Sequence, residues 1–111
     1  MIDAPSMHAA NILPSGFKPA ELTNALASLP VPLVDATANS REARSGGCFL
    51  AYRGTSRDGR HFIADAISRG ASAVLYDPEN FTWNEEWTVP YLAVPNLKSH
   101  ASQIAGYVYG H

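Results

Sequence analysis

Three runs decide the reading: Ala36-Thr-Ala-Asn-Ser-Arg41, Gly46-Gly-Cys-Phe-Leu-Ala51 and Gly54-Thr-Ser-Arg-Asp-Gly-Arg-His-Phe-Ile63. They read as strand, loop, strand, loop, helix. The first strand, expected over 33–38, ends in small and polar residues: Thr37, Asn39 and Ser40. The second, expected over 48–52, is apolar and is followed by Gly54. A glycine on each side of Thr55-Ser-Arg-Asp58 lets the backbone turn sharply and approach a ligand closely. Two loops rich in hydroxyls and arginine, leaving neighbouring strands, suit a small polar ligand that carries phosphates.

Working outward, residues 18–30 predict a helix. Pro19 fits its first turn, Leu22, Leu26 and Leu29 mark its apolar side, and Pro30 stops it. Residues 1–17 show no period and contain Pro5, Pro14 and Gly16, which predicts a loose arm ahead of a domain over 18–111. Asp58 is a natural N-cap for a second helix whose Phe62, Ile63, Ala66 and Ile67 share a face, and Gly70 ends it. Short strands follow at 71–76 and 91–94. Between them lies an acidic segment, 77–90, holding Trp83 and Trp87, to which the pattern assigns no regular structure. Pro95-Asn96 is expected to cap a last helix with Leu97, Ala101, Ile104, Ala105 and Val108 on one side. The fold class expected is α/β, a small mixed β-sheet flanked by helices.

At 111 residues the chain is one domain, with 46% hydrophobic and 16% charged residues. No apolar run approaches the ~20 residues that span a bilayer, and the N-terminus lacks a signal-peptide pattern. A single cysteine, Cys48, lies in an apolar strand and reads as a small core residue of a protein in a reducing cytoplasm. All six arginines fall between residues 41 and 69, beside only three acids, so that segment carries +3 and the remainder −5. A local positive field at the two loops favours an anion. Arg44, Arg60 and Arg69 are expected to be solvated, and Arg41 to be structural, tying loops together through backbone carbonyls. The four histidines have no metal-ligand spacing, and His61 reads as a surface residue. Tyr107 and Tyr109 read as packing residues. No metal site and no catalytic residue is expected, and no Gly-x-x-x-x-Gly-Lys-Ser/Thr loop is present to cradle ATP.

The same runs resemble the first domain of the Mur ligases, which build peptidoglycan precursors. That family's pattern runs Asp-Ser-Arg, Pro-Gly-Asp-Leu-Phe-x-Ala, Gly-x-x-x-Asp-Gly-x-x-Phe-Ile and Gly-Ala-x-Ala-Val. The chain has Asn39-Ser40-Arg41, Ser45-Gly46-Gly47-Cys48-Phe49-Leu50-Ala51, Gly54 to Ile63 and Gly70-Ala71-Ser72-Ala73-Val74 in that order. The run Ile104 to His111, ending Tyr-Gly-His, is similar to the MurE type more than to MurF. The resemblance implies a UDP-binding domain in which Ala38, Ser40, Thr55, Ser56 and Arg57 contact UDP-MurNAc-L-Ala-D-Glu. It implies that the intact enzyme uses ATP and magnesium, held by central and C-terminal domains outside this chain, to add meso-diaminopimelate or L-lysine. The chain itself is then expected to be inactive, with no cofactor of its own. Two departures stand out: Asn39 and Gly47 occupy positions where the family has Asp, and the second is expected to loosen its loop. The alternative from another class is a non-catalytic module binding single-stranded nucleic acid through the arginines with Phe49, Tyr52 and Phe62. The net charge of −2 weighs against it, and neither a nucleic-acid nor a membrane partner is expected.

Overall fold

The computed structural model describes residues 12–110. Helix α1 spans Pro19–Ala27, strand β1 Asp35–Thr37 and β2 Gly47–Ala51. Helix α2 is Ile63–Ser68, followed by β3 Ala73–Tyr76, β4 Tyr91–Ala93 and α3 Leu97–Tyr109. The strands form one sheet in the order β1-β2-β3-β4. The α/β class is as expected, and the sheet expected to be mixed is parallel in all three of its pairings.

Alternation along the strands builds two cores. Cys48, Leu50, Ala73, Leu75 and Leu92 face α1 and α3, where they meet Leu22, Leu26, Leu97, Ile104 and Val108. Phe49, Ala51, Val74, Tyr76 and Ala93 face the other way, onto Ile63 and Ala66 of α2. A sheet covered on both faces needs apolar residues in both phases, which is why β2 reads as a continuous apolar run. Cys48 is 1% exposed, and burial pushes its thiol up to about 12, so it is an inert core group.

The crossovers are unusual. Parallel neighbours usually need a connection of a dozen residues or more, commonly a helix. Here residues 38–46 cross from β1 to β2 with only a 3-10 turn, Ser40–Glu42, which packs on α2. Between β3 and β4 there is no helix at all. The segment left without assignment from sequence supplies rings instead. Trp83 stacks on Tyr91 at 4.2 Å and on Tyr76 at 5.2 Å, with Trp87 edge-on at 4.9 Å. These rings cover the sheet face that a crossover helix would cover.

Termini of elements follow the sequence with two exceptions, at Asp58 and Asn96. Helix α1 begins at Pro19 as expected, and Glu21 accepts from the Lys18 backbone N–H at 2.7 Å at its start. Asp58 caps a 3-10 turn, Gly59–Phe62, that only then runs into α2, and Gly70 ends α2 at φ +105°. Asn96 makes no side-chain cap; it sits in the left-handed region at φ 59°. Of the arm, residues 1–11 lie outside the described residues. Residues 12–17 are attached: Ile12 bridges Ala93 in parallel, Leu13 N–H donates to the Ala93 carbonyl at 3.0 Å, and Leu13 is buried. They protect the edge of β4.

Two substitutions in α3 test this packing by urea unfolding. Ile104→Ala, at a fully buried position, is expected to cost about 2–5 kcal/mol. Gly106→Ala adds a methyl that meets nothing within 4 Å in a helix interior, and is expected to stabilise by about 0.5–1 kcal/mol.

Candidate functional site

The loops after β1 and β2 leave the same carboxyl edge of the sheet, the side where open α/β sheets bind ligands. Between them lies a cleft of about 670 Å³. Ala38 to Arg41 line one side, Gly54 to Arg57 another, and Leu50, Tyr52, Phe62 and Asp65 are among the remaining lining residues. All five residues expected to contact a ligand, Ala38, Ser40, Thr55, Ser56 and Arg57, are therefore brought to one cleft.

Each loop is held by its own backbone chemistry. In the first, Asn39 N–H donates to Thr37 Oγ1 and Asn39 Oδ1 accepts from Arg41 N–H, both at 3.0 Å. This is the Asx turn that an Asp would make, so the Asn39 departure leaves the local geometry intact. Ser40 is 7% exposed. Its hydroxyl, followed by the Arg69 guanidinium 3.0 Å away, holds the Asp65 carboxyl below its usual range. Gly47 does not loosen its surroundings: its N–H donates to the Arg44 carbonyl at 3.0 Å, and it begins β2 as a buried residue. The second loop closes on itself. Gly54 N–H donates to the Arg57 carbonyl at 2.6 Å, and Gly59 N–H to the Tyr52 carbonyl at 2.8 Å. A Cβ on Gly59 would lie 2.9 Å from that carbonyl oxygen, so glycine is required by the close approach of two backbones rather than by a left-handed φ.

The arginines correct two expectations. Arg60 is not solvated: it is 5% exposed. Its Nε and Nη2 pair with both carboxylate oxygens of Asp58 at 2.9 Å. Its Nη1 donates to the Asp77 carbonyl at 2.9 Å and also to the Glu79 carbonyl. The guanidinium lies 5.3 Å from the centre of the Phe81 ring. The task of tying loops through backbone carbonyls, expected of Arg41, thus falls to Arg60. Arg41 instead is exposed on the cleft, and its side chain makes no hydrogen bond among the described residues. Arg44 pairs with Asp35 at 2.9 Å and Arg69 with Asp65, both at exposed positions. Arg57 lies over Phe62, 5.9 Å from the ring centre.

Sequence reasoning missed Phe62, Tyr52 and Asp65 as lining residues. Phe62 and Tyr52 read as core positions, and Asp65 enters only the charge balance of the arginine-rich segment. Of the aromatics invoked for nucleic-acid binding, Phe49 is fully buried. Tyr109, expected to pack, is 55% exposed. Its hydroxyl pins the end of α3 to β1: it donates to Asp35 and accepts from Ala36 N–H at 2.9 Å. No cluster of three or more metal-ligating side chains occurs among the described residues.

The Asp58–Arg60 pair makes stability depend on pH. Arg60 first, by its hydrogen bonds, lowers the Asp58 carboxyl to about 2. A depressed carboxylate stabilises the fold above its unfolded value and loses that contribution as pH falls. Stability is expected to drop by about 2 kcal/mol from this group between pH 4 and pH 2. Asp58→Asn removes that part of the acid dependence, and Arg60→Met, which strands a partly buried carboxylate, costs about 3–5 kcal/mol at neutral pH. Urea titrations across that range, on the unaltered chain and on each variant, check both.

Comparisons with known proteins fit this geometry. The model of the Mur ligase family, catalytic domain, matches residues 36–109. The UDP-N-acetylmuramoyl-L-alanyl-D-glutamate–2,6-diaminopimelate ligase of Janthinobacterium sp. (strain Marseille) is 43% identical over 95 residues, which cover 80% of this chain and 19% of that protein. The ligase of the same name from Chromobacterium violaceum is 45% identical over 86 residues, 77% of this chain and 17% of that one. Among solved structures, the MurF ligase of Thermotoga maritima in complex with ADP superposes with a TM-score of 0.52 and 27% identity, over 63% of this chain and 15% of that chain. The chain spans about a fifth of the length of the curated relatives it matches.

Proposed function

The chain belongs to the Mur ligase family, and on that premise we propose that residues 18–111 form the domain that holds the nucleotide end of UDP-MurNAc-L-Ala-D-Glu in a MurE-type ligase. The observation that carries this reading is the convergence of Ala38, Ser40, Thr55, Ser56 and Arg57 on one cleft at the carboxyl edge of β1 and β2. Hydroxyls of Ser40, Thr55 and Ser56 supply donors and acceptors for a base edge and ribose. Arg57, with one face toward Phe62, keeps its N–H groups for a phosphate.

In the whole enzyme, as proposed, ATP activates the D-glutamate γ-carboxylate and the amine of meso-diaminopimelate or L-lysine attacks it. No residue of this chain is assigned to ATP or magnesium. The sequence has no Gly-x-x-x-x-Gly-Lys-Ser/Thr loop. The domain's part is affinity and alignment: binding energy gained at the nucleotide end orients the distant reacting end. No helix of the described residues is long and apolar enough to cross a membrane. The single cysteine, Cys48, is free and buried in the sheet, which suits a reducing compartment such as the cytoplasm.

A second reading, the first domain of a MurF-type ligase, draws on the superposition with the Thermotoga maritima enzyme. The higher identity to the diaminopimelate ligases favours the first.

Calorimetric titration with UDP tests the cleft. Ser40→Ala removes a neutral hydrogen bond worth roughly 0.5–1.5 kcal/mol and is expected to weaken UDP about two- to tenfold. Arg57→Ala is expected to weaken UDP more than uridine, by a margin that shrinks as salt rises. Equal losses for the two ligands would mean that Arg57 serves the base instead. With ATP, magnesium, UDP-MurNAc-dipeptide and diaminopimelate, the chain alone is expected to release no phosphate above buffer; reproducible turnover would end this assignment.

A further inference from the structure

The six arginines divide by what engages them. Arg44, Arg60 and Arg69 are committed to Asp35, Asp58 and Asp65 at 2.9, 2.9 and 3.0 Å. Arg57 rests over Phe62. Arg41 and Arg53 have neither an ion pair nor a side-chain hydrogen bond among the described residues. A solvated arginine is ordinary on a surface, so the lack of a partner alone says little. Position separates the two: Arg41 lines the cleft and Arg53 does not.

The placing of Arg41 is also built. Its backbone N–H is fixed by Asn39 Oδ1 at 3.0 Å inside the 3-10 turn Ser40–Glu42, and the neighbouring Ser40 is buried. The turn is therefore held by its own hydrogen bonds, while the exposed guanidinium has no hydrogen-bond partner among the described residues. The one acid among the cleft's lining residues, Asp65, is hydrogen-bonded by Ser40 and Arg69, and the charge of Arg41 acts on it more weakly. The cleft thus offers two guanidinium groups, one from each loop, against a single carboxylate that is partly neutralised.

We infer that Arg41 is a further ligand-binding residue: its guanidinium takes one phosphoryl group of a nucleoside diphosphate while Arg57, from the other loop, takes the second. This rests on the nucleotide reading of the cleft and deepens it. A diphosphate presents two adjacent anionic groups, and a planar guanidinium binds one phosphoryl group edge-on through paired N–H donors. Two such groups, one from each loop lining the cleft, offer one fork to each phosphoryl group and would distinguish a nucleoside diphosphate from the bare nucleoside.

The test is the affinity of the full chain for uridine, UMP and UDP at low salt, with Arg41→Ala, Arg41→Lys and Arg53→Ala. Arg41→Ala is expected to weaken UDP about five- to twentyfold, UMP less, and uridine by less than about twofold. Arg41→Lys is expected to recover part of the loss, since the charge stays and the planar fork goes. Arg53→Ala removes the same charge from outside the cleft and is expected to change UDP by less than about twofold. An unchanged UDP affinity in Arg41→Ala overturns the inference. So do equal losses for uridine and UDP, or a loss matched by Arg53→Ala. If the unaltered chain fails to bind UDP, the nucleotide reading falls and this one with it. UDP binding that Arg41→Ala leaves untouched overturns this one alone. Should Arg41→Ala fail to fold by circular dichroism, Arg41→Gln, which keeps the length of the stem, is read by the same criteria.

Discussion

Strand β2 is buried at every residue, between β1 and β3 in the plane and between two helical or aromatic layers above and below. No polar side chain can occupy a strand in that position without stranding an unpaired group. The chain meets the constraint with Gly-Cys-Phe-Leu-Ala, whose alternate residues serve opposite cores. Once β2 is fixed, its neighbours have little freedom. The parallel register with β1 puts residue 38 and residue 52 at the same edge, so two loops far from regular structure open side by side. The cleft is a consequence of the central strand and not of any local motif alone.

What the strand places, charge holds. Asp58 ends the second loop, caps the turn that follows and takes both arms of Arg60, whose third nitrogen reaches the carbonyls of Asp77 and Glu79. The loop that follows β2 is thereby tied to the loop that follows β3. Such a pair is costly to desolvate, and it is tolerated because all three guanidinium nitrogens find an acceptor and the ring of Phe81 lies against the group. The first loop is held more lightly, by the Asx turn of Asn39 and the burial of Ser40. Rigid loops lower the entropy lost when a ligand orders its site.

Much of this was legible from residue pattern. Apolar runs gave β2 and β3, Pro19 and Gly70 marked helix ends, and the polar composition of 38–41 and 54–57 pointed to one site. The Mur ligase resemblance was carried by the same runs, and the family match over residues 36–109 includes them. The misreadings have physical causes. Arg60 and Arg41 are the same residue type in similar loops, and only the fold decides which one meets carbonyls and which meets solvent. Residues 77–90 lack a period because rings, not a helix, cover that sheet face. The two outer strands, β1 and β4, are three residues each, shorter than their sequence patterns. Asn96 suits a cap by composition, yet the chain turns through a left-handed residue there, which asparagine also tolerates.

The central claim, that the cleft between the two loops is the nucleotide site, is tested most directly by mapping backbone amide shifts of the chain as UDP is added. The account predicts shifts in residues 38–41 and 54–57 together, with the amides of 83–87 unmoved. Shifts confined to other surfaces, such as the apolar groove lined by Leu26, Leu29, Val31 and Tyr107, or none at millimolar UDP, would contradict it.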